Sequence, residues 1–158
     1  MKARLLEAVV TPTVLYAAGT WTLTKALEAQ LVTAKRRMIR KMLGAARQPE
    51  ETWVEYVQRT TRLAEEKMDK LGYKNWVMLY NQKKWRLAGR VSQSNGGRWS
   101  KRLLNWRQHF RCHPYRDVGR PFRRWGDSVI ELAGGDWLTE AANASLWSAL
   151  EHGFTRVV

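Results

Sequence analysis

The stretch TKALEAQLVTAKRRMIRKMLGAAR, from Thr24 to Arg47, decides the fold class of this chain. Apolar residues recur in it every three or four positions, which is the spacing of one face of an α-helix. Thr24 is a favoured residue for the N-cap of a helix, and Gly44 is typical of the residue at which a helix ends. We therefore predict a helix from Lys25 to Leu43. Its predicted apolar stripe comprises Leu27, Leu31, Ala34, Met38 and Met42.

Helical spacing continues along the rest of the chain, and no window shows the sustained alternation that is typical of a strand. We predict an all-α protein with six to seven helices in a small bundle, as one body or as two lobes, and an irregular basic loop at 108–120. Glycine and proline mark the helix boundaries. After the first long helix, the predicted helices run from Pro49 to Gly72, from Asn75 to Val91, from Trp99 to Arg107, from Pro121 to Gly134 and from Asp136 to Gly153.

Charge divides the chain unevenly. The 158 residues carry a formal net charge of +14. Residues 35–47 sum to +6 and residues 83–125 to +12, whereas residues 126–158 sum to −4. We therefore predict three regions, which are a helical lobe at 1–72, a basic helical region at 73–125 and an acidic helical region at 126–158.

The two basic blocks indicate a polyanionic partner, because cations that neutralise phosphates release counterions and so supply most of the non-specific binding free energy. RNA or DNA is the expected partner. The alternative is that these side chains only solvate a helix face. The predicted nucleic-acid-binding residues are Lys35, Arg36, Arg37, Arg40, Lys41, Lys83, Lys84, Arg86, Arg90, Arg120, Arg123 and Arg124.

Tryptophans accompany the second basic block. An exposed indole stacks on an unpaired base, whereas an indole on an apolar helical stripe is more often part of a core. The helical spacing favours the core for these residues. They are Trp85, Trp99, Trp106 and Trp125.

Residues that could hold a metal ion are few. His109, Cys112 and His113 fall within five positions, but a closed zinc site needs four ligands, so we predict solvated loop residues. The adjacent acids at 50–51 and at 65–66 fit a helix start and a solvated helix surface better than a two-metal site. We therefore predict no metal, no cofactor and no catalytic residue. A small metal-dependent nuclease is the least favoured function.

Other short patterns exclude alternatives. In VGRPFRRWGD, Val118 stands where a minor-groove hook has its first arginine, so we predict a helix start at Pro121 instead.

Glu7 and Pro12 interrupt the N-terminal apolar run, which argues against a signal peptide. The sequence has one cysteine, which favours an intracellular, reducing compartment. It has no apolar run of about 20 residues, so we predict no membrane span.

The order of several motifs resembles the region that follows the catalytic palm in reverse transcriptases of non-LTR (LINE-type) retrotransposons. There, a LYGAETW box leads into a helix with a QRRMLR run; here, LYAAGTW leads into AKRRMIR within Val9 to Arg47. Gly19 stands where the box has an acid. The further motifs, in family order, are ETWVEYVQRTTR (Glu51 to Arg62), QKKWRLAGRV (Gln82 to Val91), GRWSKRLLNWR (Gly97 to Arg107), GRPFRRWGDSV (Gly119 to Val129) and WLTEAANASLWSALEHGF (Trp137 to Phe154).

The resemblance implies a helical thumb and C-terminal extension that hold template RNA and DNA primer while a separate palm polymerises. The run from Lys35 to Lys41 would lie on the thumb helix, and the cations from Lys83 to Arg90 on the following basic helix. Because the palm's paired aspartates are missing, the implied chain is a nucleic-acid-binding fragment of an RNA-directed DNA polymerase and not an enzyme by itself. The implied partners are template and primer and the remainder of the polyprotein, and the implied location is nuclear.

The residues leave one alternative from a different class. It is a freestanding helical interaction protein with a basic face, whose acidic last helix docks a partner or folds back on the basic block.

Overall fold

The computed structural model describes residues 2–94, 99–105 and 124–156. Every regular element in these ranges is helical and none is a strand, so the predicted all-α class is confirmed. A π-helical segment, Leu6–Val10, joins the first two helices, and a short 3-10 turn, Ala18–Thr20, precedes the third. The helices are α1 (Lys2–Leu5), α2 (Thr11–Val14), α3 (Lys25–Leu43), α4 (Trp53–Lys70), α5 (Trp76–Gln93), α6 (Trp99–Asn105), α7 (Asp127–Ala133), α8 (Trp137–Ala142) and α9 (Ala144–Arg156).

The described residues form two units. Unit one comprises residues 2–18 and 23–81, and unit two comprises residues 19–22 and 82–156. The division of the sequence into three regions follows charge rather than packing and stays a prediction.

Helix α3 begins and ends where its sequence signals predict. The Oγ1 of Thr24 accepts a hydrogen bond from the backbone N–H of Leu27 at 3.3 Å. Gly44 ends the helix at φ 62°, a left-handed conformation that glycine adopts without steric strain. Local signals were therefore sufficient to place this helix.

The buried face of α3 differs from the predicted stripe. Lys35 and Ile39 are buried, whereas Leu27 and Met38 are 42% and 37% exposed. The stripe was wrong at those two positions because the aliphatic stem of Lys35 takes a core position and its ammonium group is paired inside unit one. A lysine at a core position cannot be recognised from helical spacing alone.

Helix α4 begins at Trp53 and not at Pro49. Thr52 is its N-cap, with Oγ1 accepting from the N–H of Glu55 at 3.3 Å, while Glu55 Oε2 accepts from the N–H of Thr52 at 2.8 Å. This capping box satisfies the first donors of the helix and sets its start. Gly72, at φ 67°, lies just beyond the end of α4, as predicted.

The boundaries of the later helices agree with the sequence to different degrees. Helix α5 lies within two residues of the prediction, whereas α7 begins at Asp127, six residues after Pro121. Residues 124–126 are not helical, and Asp127 Oδ2 accepts from the backbone N–H of Arg124 at 2.7 Å. The predicted residues 106–107 of the helix from Trp99, and Pro121 itself, lie outside the described residues.

The single helix predicted from Asp136 to Gly153 is two helices, α8 and α9. They meet at Asn143, whose Oδ1 accepts from the backbone N–H groups of Ser145 at 3.2 Å and Leu146 at 3.3 Å. An asparagine that satisfies the first N–H groups of a helix begins a new helix. The apolar spacing continues across this break, so spacing alone did not reveal it.

Two stacked tryptophans form the centre of unit two. The rings of Trp85 and Trp147 lie 3.8 Å apart at an interplanar angle of 2°. Trp85 Nε1 donates to the Trp147 carbonyl oxygen at 2.8 Å, and Trp147 Nε1 donates to the Trp85 carbonyl oxygen at 3.0 Å. Both indole N–H groups are therefore satisfied although the rings are buried. The remaining buried residues of this core are Ala88, Val129, Trp137, Ala141 and Phe154.

No helix in the described ranges is long and apolar enough to span a membrane.

We predict opposite effects for alanine at two helical glycines of unit two. A Cβ at Gly89 would lie 2.6 Å from Cδ1 of Trp147, whereas a Cβ at Gly153 would meet nothing within 4 Å. We expect Gly89→Ala to lower the free energy of unfolding by about 1–3 kcal/mol through overpacking. Gly153→Ala should raise it by about 0.5–1 kcal/mol through helix propensity. Urea denaturation measures both, and equal stability of the two variants would contradict the close packing of Gly89 on Trp147.

Candidate nucleic-acid interface

One face of α3 is not covered by any other element in the described ranges. We call it the open face; its small or unbranched side chains and two cations line a shallow depression to which only α3 contributes. Arg37 and Lys41 are exposed, are four residues apart, and form no ion pair within the described residues. The open face therefore presents two cations beside small side chains. It comprises Ala29, Gln30, Thr33, Ala34, Arg37, Met38 and Lys41.

Two further predicted cations of α3 turn toward α4. Arg36 Nη2 pairs with Glu65 Oε1 at 2.5 Å, and both side chains are about half exposed, at 46% and 47%. Arg40 Nη1 donates to Thr61 Oγ1 at 2.8 Å. Both guanidinium groups keep N–H groups free of these bonds, because a guanidinium has five.

Lys35, the fifth predicted residue of this block, lies in the interior of unit one. It is 6% exposed, and its Nζ is 2.9 Å from Glu7 Oε1, 2.5 Å from the carbonyl oxygen of Lys74 and 5.8 Å from the ring centre of Trp76. Its ammonium group is thus held by protein groups. Lys35 is not part of the exposed basic surface.

Helix α5 carries a second basic stripe, in unit two. Lys83, Arg86 and Arg90 are exposed and are three and four positions apart, so they lie along one side of the helix. Lys84 is 2% exposed, and its Nζ lies 5.3 Å from the ring centre of Trp125. Like Lys35, Lys84 is a predicted contact residue that the structure places inside.

Helix α9 contacts this stripe through its one carboxylate. Glu151 of α9 accepts hydrogen bonds from Gln82 Nε2 at 2.7 Å and from Arg86 Nε at 3.0 Å. Arg86 Nη2 also lies 2.9 Å from Glu151 Oε1, with the arginine side chain 59% exposed. One carboxylate of the C-terminal region therefore pairs with the α5 stripe within unit two.

Of the remaining predicted residues, one lies within the described ranges. Arg124 is exposed just before α7. The others, together with the loop at 108–120, lie outside the described residues. They are Arg120, Arg123, Trp106, His109, Cys112 and His113.

The structure confirms the core prediction for some of the tryptophans and contradicts it for another. Trp85 is buried as predicted, and Trp125 is partly buried with its Nε1 donating to the Gly19 carbonyl oxygen at 2.7 Å. The core prediction for Trp99 was wrong, since Trp99 is 74% exposed on the short helix α6, where the Arg102 guanidinium lies 5.2 Å from its ring centre. A seven-residue helix offers few neighbours that could bury an indole.

The predicted absence of a metal site stays a prediction for the whole chain. Within the described residues, no group of three or more His, Cys, Asp or Glu side chains could hold a metal ion. In each adjacent pair of acids, one carboxylate has a cationic partner: Glu65 pairs with Arg36, and Glu51 pairs with Arg59.

Glu51 and Arg59 form an ion pair with two hydrogen bonds next to the start of α4. Arg59 Nε lies 2.8 Å from Glu51 Oε1, and its Nη2 lies 2.9 Å from Oε2, so the two groups meet side by side. This hydrogen-bonded guanidinium lowers the pKa of Glu51 to about 2, with a further contribution from the backbone N–H of Gln48. The same contact raises the pKa of Arg59.

Comparison of the chain with protein-family models, with curated proteins and with solved structures gives no match.

We predict that the Glu51–Arg59 pair makes stability depend on acidic pH. The pKa of Glu51 is lower in the folded chain than its ordinary value of 4.5, so the pair stabilises the fold above about pH 4.5. That contribution is lost as the pH falls toward 2. Glu51→Gln should therefore be less stable than the parent protein at pH 7 and should lose less stability between pH 4.5 and 2.

The control is Glu66→Gln, at an exposed position of α4 that forms no ion pair within the described residues. Urea midpoints between pH 7 and pH 2 measure the effect. If Glu51→Gln and Glu66→Gln followed the same pH profile, the pair would not contribute as its geometry indicates.

Proposed function

We propose that this chain is a nucleic-acid-binding part of an RNA-directed DNA polymerase of the non-LTR retrotransposon type. In this proposal it contacts template and primer strands through their phosphates and supplies no catalytic residue. The observation that carries the proposal is the open face of α3, where Arg37 and Lys41 are exposed and have no acidic partner within the described residues. Unpaired cations on an uncovered helix face fit a polyanion.

The distribution of buried and exposed cations supports a phosphate ligand. Lys35 and Lys84 are buried, whereas the cations of the open face and of the α5 stripe are exposed. Small side chains such as Ala29 and Thr33 leave the helix backbone accessible to a close strand. Contacts of this kind position a nucleic acid without reading its sequence.

The backbone at the LYAAGTW box gives separate support for the retrotransposon resemblance. Ala17 has φ 51°, a left-handed conformation in which glycine is unstrained. Glycine is the residue that the LYGAETW box has at this position. Gly19, which replaces the acid of the box, is buried, and a Cβ there would lie 3.0 Å from the carbonyl oxygen of Lys83. An acidic side chain at this position would require the local backbone to shift.

We predict that nucleic-acid affinity depends on Lys41 and falls with salt. Binding of a labelled RNA or DNA strand should weaken steeply between 50 and 200 mM salt, because each neutralised phosphate releases counterions. Lys41→Ala should weaken binding similarly for all sequences and should reduce the slope of log affinity against log salt by about 1. Fluorescence anisotropy across a salt series measures both.

Lys25→Ala is the matched control, since Lys25 lies on the same helix, is 75% exposed and already pairs with Glu28 at 3.1 Å. Its removal should leave the salt slope unchanged. Affinity that does not change with salt, or an equal loss in both variants, would contradict the proposal.

We predict that Glu151 weakens nucleic-acid binding at the α5 stripe. Its carboxylate occupies one edge of the Arg86 guanidinium and adds a negative charge where a phosphate would lie. Glu151→Gln keeps a hydrogen-bond acceptor and removes the charge, so affinity should rise by about two- to fivefold, the factor that corresponds to an exposed ion pair. Glu140→Gln, at an exposed position of α8, is the control, and anisotropy at constant salt is the measurement. A lower affinity in Glu151→Gln would show that the carboxylate positions Arg86 rather than competing for it.

A second candidate function is docking of another protein. Leu5, Val9 and Tyr16, in the N-terminal part of unit one, are 61%, 53% and 80% exposed. Large exposed apolar side chains mark protein interfaces where they form a patch. This candidate would replace the first if the lysine experiment found no salt-dependent binding.

A further inference from the structure

An exposed tryptophan stands at the start of α4. Trp53 is 65% exposed, whereas Trp76, in the same unit, is 1% exposed and donates its Nε1–H to Thr11 Oγ1 at 2.9 Å. An indole that is left in water forgoes a large burial free energy. Unit one therefore does not use the Trp53 ring as core.

The Trp53 ring nevertheless contacts a second aromatic ring. Its centre lies 5.5 Å from the ring centre of Tyr56, at an interplanar angle of 39°. The hydroxyl of Tyr56 donates to the Ala45 carbonyl oxygen at 3.1 Å, and the Arg59 guanidinium lies 5.9 Å from the Tyr56 ring centre. Arg59 is itself bound to Glu51 and to the Ala46 carbonyl oxygen. This series of contacts limits the freedom of Tyr56, against which Trp53 packs.

A cation lies beside this aromatic pair. Arg47 is exposed, and its Nε donates to the carbonyl oxygen of Glu51 at 2.7 Å, two residues before Trp53. Its Nη groups form no hydrogen bond within the described residues. Two of the nearby acids have partners, since Glu51 pairs with Arg59 and Glu55 caps α4. Glu50 is exposed and forms no ion pair within the described residues.

We propose that Trp53 and Arg47 form a site for one unpaired nucleotide, with the base stacked on the indole and its phosphate bound by the Arg47 guanidinium. The inference rests on the proposed function, because it assumes that the strand on unit one is a nucleic acid. The inference specifies single-stranded nucleic acid as the ligand, because a base that is paired and stacked in a duplex has no free face for an indole. Electrostatic contacts on the open face hold single and double strands alike, whereas the Trp53 site selects unpaired strands.

The test compares two probes on the full chain at constant salt, a 20-nucleotide oligothymidylate and a blunt DNA duplex of the same length. Trp53→Ala should weaken binding of the oligothymidylate by about 5- to 150-fold, which is the range for loss of one stacked base. Binding of the duplex should change by less than about twofold. Trp53→Phe should recover most of the single-strand affinity, because it restores an aromatic face.

Val54→Ala is the matched control, since Val54 is the next residue and is 61% exposed but has no flat ring. It should change neither affinity. Unchanged oligothymidylate binding in Trp53→Ala, or an equal loss on both probes, would overturn the site. These results leave the proposed function standing if the parent protein still binds both probes in a salt-dependent way and Lys41→Ala still weakens them; the absence of such binding in the parent protein would overturn both.

Discussion

The burial of Lys35 is the constraint on which the basic surface of unit one depends. Its ammonium group joins Glu7 with the Lys74 carbonyl oxygen and the Trp76 ring, which lie on two other segments of the chain. These contacts fix the rotation of α3 about its own axis. At 100° per residue, Arg37 and Lys41 then lie about 200° and 240° around the helix from Lys35. The burial of Lys35 therefore places Arg37 and Lys41 on the exposed side of α3.

Much of the fold could be predicted because helix ends are marked by local chemistry. Thr24 and Gly44 bound α3 as expected, since a hydroxyl cap and a left-handed glycine act within a few residues of chain. The helix faces could not be predicted in the same way, because they depend on distant partners. Glu7 is 28 residues from the lysine that it pairs with. The break at Asn143 was missed for a related reason, because regular apolar spacing on both sides concealed a side-chain cap.

The candidate site was predictable in composition but not in detail. Clustered charge located both basic helices, yet in each cluster one lysine lies inside, Lys35 in unit one and Lys84 in unit two. A long aliphatic stem lets lysine replace an apolar residue when a carboxylate, a carbonyl oxygen or an aromatic ring receives its ammonium group. Formal charge therefore overstates the charge that faces solvent. Trp53 was not predicted as a site residue, because the exposure of its ring depends on the packing of unit one and not on local sequence.

The hydrogen bond from Trp125 to Gly19 has a consequence for how the chain acquires its structure. It closes a loop of 106 residues, and it ties residues 19–22 to a unit whose remaining residues begin at 82. Neither unit is thus one continuous segment, so no single cut in the gene yields either unit whole. During synthesis, which proceeds from the N-terminus, residues 19–22 emerge long before the tryptophan that binds them. Unit two can complete its packing only late, after most of unit one has already been made.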